Sequence, residues 1–419
     1  MPPSEDLIEI IQAGIQSVRP SVIFPSILTS ATYAELDAWL RADVRYLLCV
    51  GKASLDTAEA VLNQVRCRDH FVLAPSGAGV GGASKVRYGS HPIPDERSLK
   101  ASQELLGWIK YLPDNSSLMV VISGGSSALL VMPAPGLSLE SKRKVNDLLI
   151  RSGATIQEMN IVRKHLSLVK GGRMASFVSH VKCFALVISD VVGDDLATIG
   201  SGPFYPDPST FSEAAELLHR YGIWDDTPED ARDILERGER GQFDETPKQI
   251  VPPIPHYIVA SNRIACEAAA AKAARVGYQV QLLPGPVSGP IDEVAQKIAH
   301  RVKDMNPRTA LIMGGEVTVR VRGSGTGGRN QHLTLLLTDL FQNRDVAFAA
   351  VGTDGIDGNS TAAGAWTDGQ TLRRALQLGL HPQQALDEFD SFPFFRRLGQ
   401  SIQTGPTGTN VMDLYVALT

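Results

Sequence analysis

The chain of 419 residues is short of several things, and each shortage excludes something. It has four cysteines, Cys49, Cys67, Cys183 and Cys266, and none stands in CxxC spacing. Cys49 and Cys183 fall in apolar runs, so the set reads as buried free thiols in a reducing compartment, not as a disulfide framework or a zinc site. No apolar segment reaches the roughly 18 residues of a spanning helix. The opening MPPSEDLIEI is acidic and lacks the basic start of a signal or transit peptide, which points to the cytoplasm. Positive charge is in deficit: 40 Lys and Arg against 45 Asp and Glu leave a formal charge of −5, with no basic run. That argues against a nucleic-acid or membrane surface, though a small anion needs only local cations. No G-x-x-x-x-G-K-[ST] is present, which excludes an ordinary P-loop kinase.

What is present is an ordinary globular composition, 43% hydrophobic and 20% charged, on a chain too long for one core. Short apolar strands at 46–50, 71–74, 118–122 and 184–188 alternate with amphipathic helices. Ser4 is placed to cap a first helix on Ile8, Ile11, Ile15 and Val18. Thr155 with Glu158 and Thr210 with Glu213 spell capping boxes, Gly153 a helix stop, and Thr227-Pro228 a helix start closed by Gly238. From Gly238 to Pro255 the chain turns polar and then proline-rich, a linker composition. Alternation resumes with strands at 257–260, 279–283, 346–351 and 411–417. The expected fold is α/β, with parallel sheets covered on both faces. The expected domains are 1–240 and 256–419, both α/β, joined by a linker at 241–255.

The densest chemical signal lies in LIMGGEVTVRVRGSGTGGRNQ, residues 311–331. Val317, Val319 and Val321 alternate with polar residues as a strand would; a glycine-rich loop follows, then a helix from Asn330 to Phe341. Such a turn leaves backbone N–H groups bare at a helix start and gathers positive dipole there. Arg329 at that end is at the wrong pole unless an anion is present. The alternative is a flexible hairpin with a solvated arginine. Lys52, after Gly51 at another helix start, poses the same conflict, and two such cations suggest one shared anion between the domains.

Other strand ends carry further candidates, since open parallel sheets bind ligands outside their carboxyl ends. Asp190, Asp194 and Asp195 suit Mg²⁺ or a general base, or cap a helix. Asp354 and Asp357 could ligate metal or form turns. His165 could touch substrate or be a satisfied helix histidine. Ser123 to Ser127 is small enough for phosphates to approach its backbone. It also approaches a hydrolase elbow, but no histidine partner is evident. Gly77-Ala-Gly79-Val-Gly-Gly82 fits a dinucleotide fingerprint, yet His91-Pro92-Ile-Pro94 leaves no room for the helix that fingerprint needs.

Taken together, these motifs resemble the class II glycerate kinase family, whose C-terminal part is the MOFRL domain. The resemblance is carried, in order, by Val50-Gly-Lys52-Ala, His91-Pro-Ile-Pro-Asp95, Ser123-Gly-Gly125, Val162-Arg-Lys164-His165-Leu-Ser and Lys170-Gly-Gly172. It continues through Ser189-Asp190-Val-Val-Gly193-Asp194, Ser201-Gly-Pro203, Gly314-Gly-Glu316, Gly327-Gly-Arg329-Asn330 and Gly352-Thr-Asp354-Gly-Ile-Asp-Gly358. It implies ATP-dependent phosphorylation of D-glycerate to 2-phosphoglycerate with Mg²⁺ or another divalent ion, in a cleft between a Rossmann-like first domain and a smaller α/β second domain, in a monomer or homodimer. On that reading Lys52, Asp190 and Arg329 are catalytic. Ser123, Gly124, Gly125, Ser126, Ser127, His165, Glu316 and Asn330 face the substrate. Gly51, Lys170, Gly325, Gly327, Gly328 and Asp354 serve ATP, and Asp190 and Asp194 the metal. Ser126 replaces a usual third glycine, and Asn359-Ser360-Thr361 a usual Pro-Thr-Asp. An NAD(P)H-dependent hydroxypyruvate reductase and a non-catalytic anion- or nucleotide-binding protein are the alternative readings.

Overall fold

The computed structural model describes residues 3–78 and 85–419, without the side chains of Pro3 and Ser4. The cap expected of Ser4, and Gly79 to Gly82 of the glycine run, therefore lie outside the described residues. The chain divides into two compact units, 24–259 and a second made of 1–23 with 260–419.

The first unit is built on a six-stranded sheet. Its strands are β1 (Arg45–Val50), β2 (Asp69–Pro75), β3 (Val86–Gly89), β4 (Ser117–Ile122), β5 (Lys182–Ile188) and β6 (His256–Ala260), in the order β3-β2-β1-β4-β5-β6. The pairings β3–β2, β2–β1, β1–β4 and β4–β5 are parallel. Leu47 to Val50 and Leu118 to Ile122 are buried without a break, as strands covered on both faces must be. The order reverses between β1 and β4, a switch point at whose carboxyl end a ligand crevice forms. Beside the sheet, helices Leu139–Arg151, Ile156–His165, Phe211–Arg220 and Glu229–Glu239 pack on Val145, Leu149, Val162, Phe211, Leu218 and Leu235. Both capping boxes form as expected. Gly238 does not end its helix. It lies inside, where a Cβ would come within 2.2 Å of the Phe211 ring.

The expected linker is an anchored strap. Thr246 Oγ1 donates to buried Asp207 at 3.0 Å, Asp207 N–H to Pro247 O at 2.9 Å, and Ala185 N–H to Pro255 O at 2.8 Å. Strand β6 then joins the first sheet, so the boundary falls after it instead of before. Polar side chains made this stretch look solvated, but they are the partners of buried groups.

The second unit holds β7 (Gln279–Leu282), β8 (Val287–Pro290), β9 (Thr309–Thr318), β10 (Ala347–Gly352), β11 (Gly364–Asp368), β12 (Ser401–Ile402) and β13 (Asp413–Leu418). Their order is β12-β11-β10-β13-β9-β7, with β8 also on β9. Only β7–β9 and β8–β9 are parallel; the other pairings are antiparallel. The all-parallel expectation thus fails here. β9 stops at Thr318, so the alternation through Val321 does not extend the strand, and Val321 is exposed.

One face of this sheet receives helix Pro3–Ser17 from the far end of the chain. Leu7, Ile10, Ile11 and Ile15 are buried there with Ala269, Ala273, Leu414 and Val416. Each such aliphatic side chain contributes about 1.5–3 kcal/mol. Small residues set the spacing: a Cβ on Gly14 would sit 2.7 Å from Leu414 Cδ2 and 3.0 Å from Ala265 O. Tyr278 donates to Asp6 at 3.0 Å and Lys272 pairs with Glu9 at 2.7 Å, completing the dock. The other face is covered by helices Ile291–Lys303 and Arg329–Leu340.

Candidate active site

At the switch point, two strand ends are pressed together. Gly51 follows β1 at φ +128°, where a Cβ would sit 2.1 Å from Ser123 Oγ, so glycine is required twice over. Lys52 N–H donates to Gly124 O at 2.8 Å, Ala53 N–H to Ser123 Oγ at 3.1 Å, and Ser123 N–H to Val50 O at 2.9 Å. Ser123 is therefore a clamp between the loops and less a cradle for phosphate. A Cβ on Gly124 would lie 1.9 Å from Asp190 Oδ2, which sets the Asp190 carboxylate directly against this loop from the end of β5. Gly125, at φ +79°, faces His91 and the Lys52 Cγ at close range. Lys52, Gly124, Gly125 and Asp190, from three strand ends, are thus brought together.

Burial and the neighbouring Lys52 push His91 down to about 4, so its imidazole is neutral at pH 7. Ser126 turns inward: it is buried, and its Oγ is where a Cβ on Gly200 would fall. Ser127 points the other way, with its Oγ 2.9 Å from both Lys170 Nζ and Ser201 Oγ. Lys170 also donates to the carbonyls of Ser127 (2.7 Å) and Leu130 (3.4 Å), and burial holds it well below the usual lysine range.

The three basic residues Arg163, Lys164 and His165 diverge. Arg163 lines a cleft of about 150 Å³ with His91, Gly125, Ser127, Lys142 and Lys170. Lys164 forms a buried ion pair with Asp207 at 3.1 Å. His165 faces the interior, its Nδ1 2.8 Å from Ile161 O and its Nε2 3.1 Å from Glu245. Its substrate-contact reading gives way to the satisfied helix histidine. Sequence reasoning missed Lys142 and gave Arg163 no role of its own. Lys142 Nζ donates to Leu166 O at 2.7 Å and Arg163 O at 3.3 Å, and burial lowers it to about 7. Only the 21-residue separation across a helical hairpin unites them, and spacing alone does not reveal that.

In the second unit the conflict inferred for Arg329 is resolved from within. Its Nε and Nη2 donate to Asp413 Oδ2 (2.6 Å) and Oδ1 (3.0 Å), and Nη1 reaches Glu316. Asp413 opens β13, between Gly315 and Gly352 on the neighbouring strands. It is 1% exposed, and burial pushes its pKa up to about 6 against the pull of the guanidinium. The helix start is also filled. Asp357 accepts from Asn330 N–H (3.0 Å) and Gln331 N–H (2.8 Å), and from both side-chain amides. The glycine loop is spoken for as well: Gly325 N–H donates to Glu388 O, Thr326 N–H to Asp390, and Gly327 N–H to Asn359 Oδ1. The premise of bare N–H groups awaiting an anion does not hold for Gly325, Gly327 and Asn330. Asp354 accepts from Ile356 N–H at 3.1 Å, the turn reading.

Asp195 caps the turn at Ala197 and Thr198, while Asp194 sits at φ +56°. Among the described residues no group of three His, Cys, Asp or Glu is placed to hold a metal. A Mg²⁺ ion that takes its other ligands from phosphate and water would ask for one or two carboxylates, and Asp190 against Gly124 would be the residue to hold it.

Comparison with known proteins agrees with the motif order. A model described as Domain of unknown function (DUF4147) matches residues 6–236, and the MOFRL family model matches 309–413. A glycerate 2-kinase of Pyrococcus horikoshii is 38% identical, covering 89% of this chain and 87% of its own. The chain belongs to the glycerate 2-kinase family. The crystal structure of a Thermotoga maritima glycerate kinase superposes with a TM-score of 0.89 at 34% identity, covering 99% of this chain and 98% of that one. A putative hydroxypyruvate reductase of Agrobacterium vitis is 40% identical over 80% of this chain and 78% of its own. In the first unit the switch-point loops carry Lys52 and Asp190, and the cleft beside them is lined by Lys142, Arg163 and Lys170. No helix in the described residues is long and apolar enough to cross a membrane.

Proposed function

We propose that the chain transfers the terminal phosphoryl group of ATP to D-glycerate, giving 2-phosphoglycerate. The observation that carries this is the meeting of Lys52, Gly124, Gly125 and Asp190 at the sheet's switch point, within a chain of the glycerate 2-kinase family. Phosphoryl transfer needs positioning and charge stabilisation more than covalent chemistry. Lys52, whose side chain lies along Gly125, supplies positive charge to the transferring oxygens. Asp190 accepts the proton of the glycerate hydroxyl or holds the metal. A divalent ion, held there by Asp190, would neutralise phosphate charge. Arg329, paired with Asp413 and Glu316, holds β13 to its helix and orients Glu316.

The name carried by the Agrobacterium vitis relative makes hydroxypyruvate reduction the second reading. Strand β3, not a helix, follows the glycine run, which counts against a dinucleotide fingerprint. Purified protein with ATP, Mg²⁺ and D-glycerate is expected to give ADP and a product whose ³¹P spectrum is that of 2-phosphoglycerate. Oxidation of NADH by hydroxypyruvate without ATP turnover would reverse the choice.

A further inference from the structure

We propose that the cleft between the β4 loop and helices Leu139–Arg151 and Ile156–His165 is the pocket for the acceptor acid, with Arg163 and Lys142 holding its carboxylate. This assignment rests on the glycerate kinase reading and names which side chains select the acceptor. Size is the first argument. At about 150 Å³ the cleft holds a three-carbon hydroxy acid and is too small for a nucleoside triphosphate.

Charge is the second. Lys142, Arg163 and Lys170 line this one cleft, and among the described residues none of them pairs with a carboxylate. Lys142 and Lys170 donate to carbonyls near helix ends, where cations belong. Capping accounts for those two ammonium groups. It does not account for Arg163, which is brought beside Lys142 with its Nε on Asn146 Oδ1 at 3.0 Å. That bond, with Nη2 3.9 Å from Met159 Sδ, fixes the plane of the guanidinium on the wall of the cleft. Basic groups gathered without a counter-charge hold their protons poorly in the free protein, and a bound carboxylate favours their charged forms. A planar fork beside an ammonium is the arrangement that recognises a carboxylate.

Neutral partners complete the pocket. The His91 ring and the Ser127 hydroxyl, the latter held by Lys170 and Ser201, border the same space and suit the hydroxyls of the acid. Gly125 forms the wall shared with Lys52, so an acid seated on Arg163 presents its hydroxyl end toward the loop where phosphoryl transfer occurs.

The test uses the full chain with Arg163→Gln and Lys142→Met. The KM for D-glycerate is expected to rise at least ~30-fold, with the KM for ATP within about threefold, the pattern of lost ground-state binding to one substrate. The thermal shift caused by D-glycerate alone is expected to vanish in both variants, while the shift caused by ATP persists and serves as the folding control. Arg163→Lys, which keeps the charge without the fork, is expected to fall between. Unchanged glycerate KM and shift in Arg163→Gln would overturn the assignment, as would loss of the ATP shift in place of the glycerate shift. Should the wild type bind glycerate through Arg163 yet transfer no phosphoryl group, the kinase reading fails and the pocket stands.

Discussion

Two glycine-flanked turns carry the same local signature, a cation at a helix start, and the fold treats them in opposite ways. At Gly51-Lys52 the neighbouring loop contributes backbone and hydroxyl groups, and no carboxylate among the described residues neutralises the lysine. The cleft next to it adds Lys142, Arg163 and Lys170. At Gly327-Gly328-Arg329 the fold supplies Asp357 to the helix N–H groups and Asp413 and Glu316 to the guanidinium. One turn leaves positive charge for a ligand; the other is an internally closed network. A misplaced cation in a sequence therefore shows that an anion is near, but not whether that anion is a substrate or an aspartate.

The largest test of this contrast is Lys52→Ala. It is expected to lose at least ~10²-fold in turnover, the scale of one preorganised charge stabiliser, while the melting temperature stays near wild type. A fully active Lys52→Ala enzyme would end the assignment.

Arg329→Met probes the opposite case. Removing the guanidinium strands Asp413 in the interior and is expected to cost about 2–3 kcal/mol in urea unfolding, less than a fully buried pair because Arg329 is part exposed. Adding Asp413→Asn should restore most of that loss. Should Arg329→Met be as stable as wild type but inactive, Arg329 belongs with Lys52 after all.

Asp357→Asn keeps one acceptor and loses the other, so about 1–2 kcal/mol of stability should go, read by the same unfolding curves. The smallest effect is in pH. Unfolded Lys142 holds its proton up to about its ordinary pKa of 10.5, and folded Lys142 only below about 7. Between those values the unfolded chain binds more protons, so stability without ligand rises with pH through that window. Lys142→Met is expected to flatten the rise. Parallel melting-temperature profiles for variant and wild type over pH 7 to 9.5 would contradict a protonation change at Lys142.

Much of the fold was legible where the cause is local. Thr155 with Glu158 and Thr210 with Glu213 cap their helices because the reciprocal bonds span three residues. The apolar runs ending at Val50, Ile122 and Ile188 are strands because continuous burial writes itself as continuous hydrophobicity. Strands β3, β8, β11 and β12 escaped notice because they are short or poor in apolar residues. The site was legible in part: Gly51-Lys52, Gly124-Gly125 and Asp190 each sit where a strand ends, and they do converge. His165 and the Gly323–Gly328 loop misled, because their partners Glu245, Asp390 and Asn359 lie 32 to 80 residues away.

By itself the sequence determined the strongly apolar strands and the capped helices, where the glycines permit tight turns, and to which family the chain belongs, since these depend on neighbours in the chain or on ordered motifs. Only the tertiary structure decided that the first helix docks on the last strands, that His256–Ala260 completes the first sheet, and which cations keep their charge. Those outcomes depend on long-range packing, and a charge is spent or free according to what the fold places within about 3 Å of it.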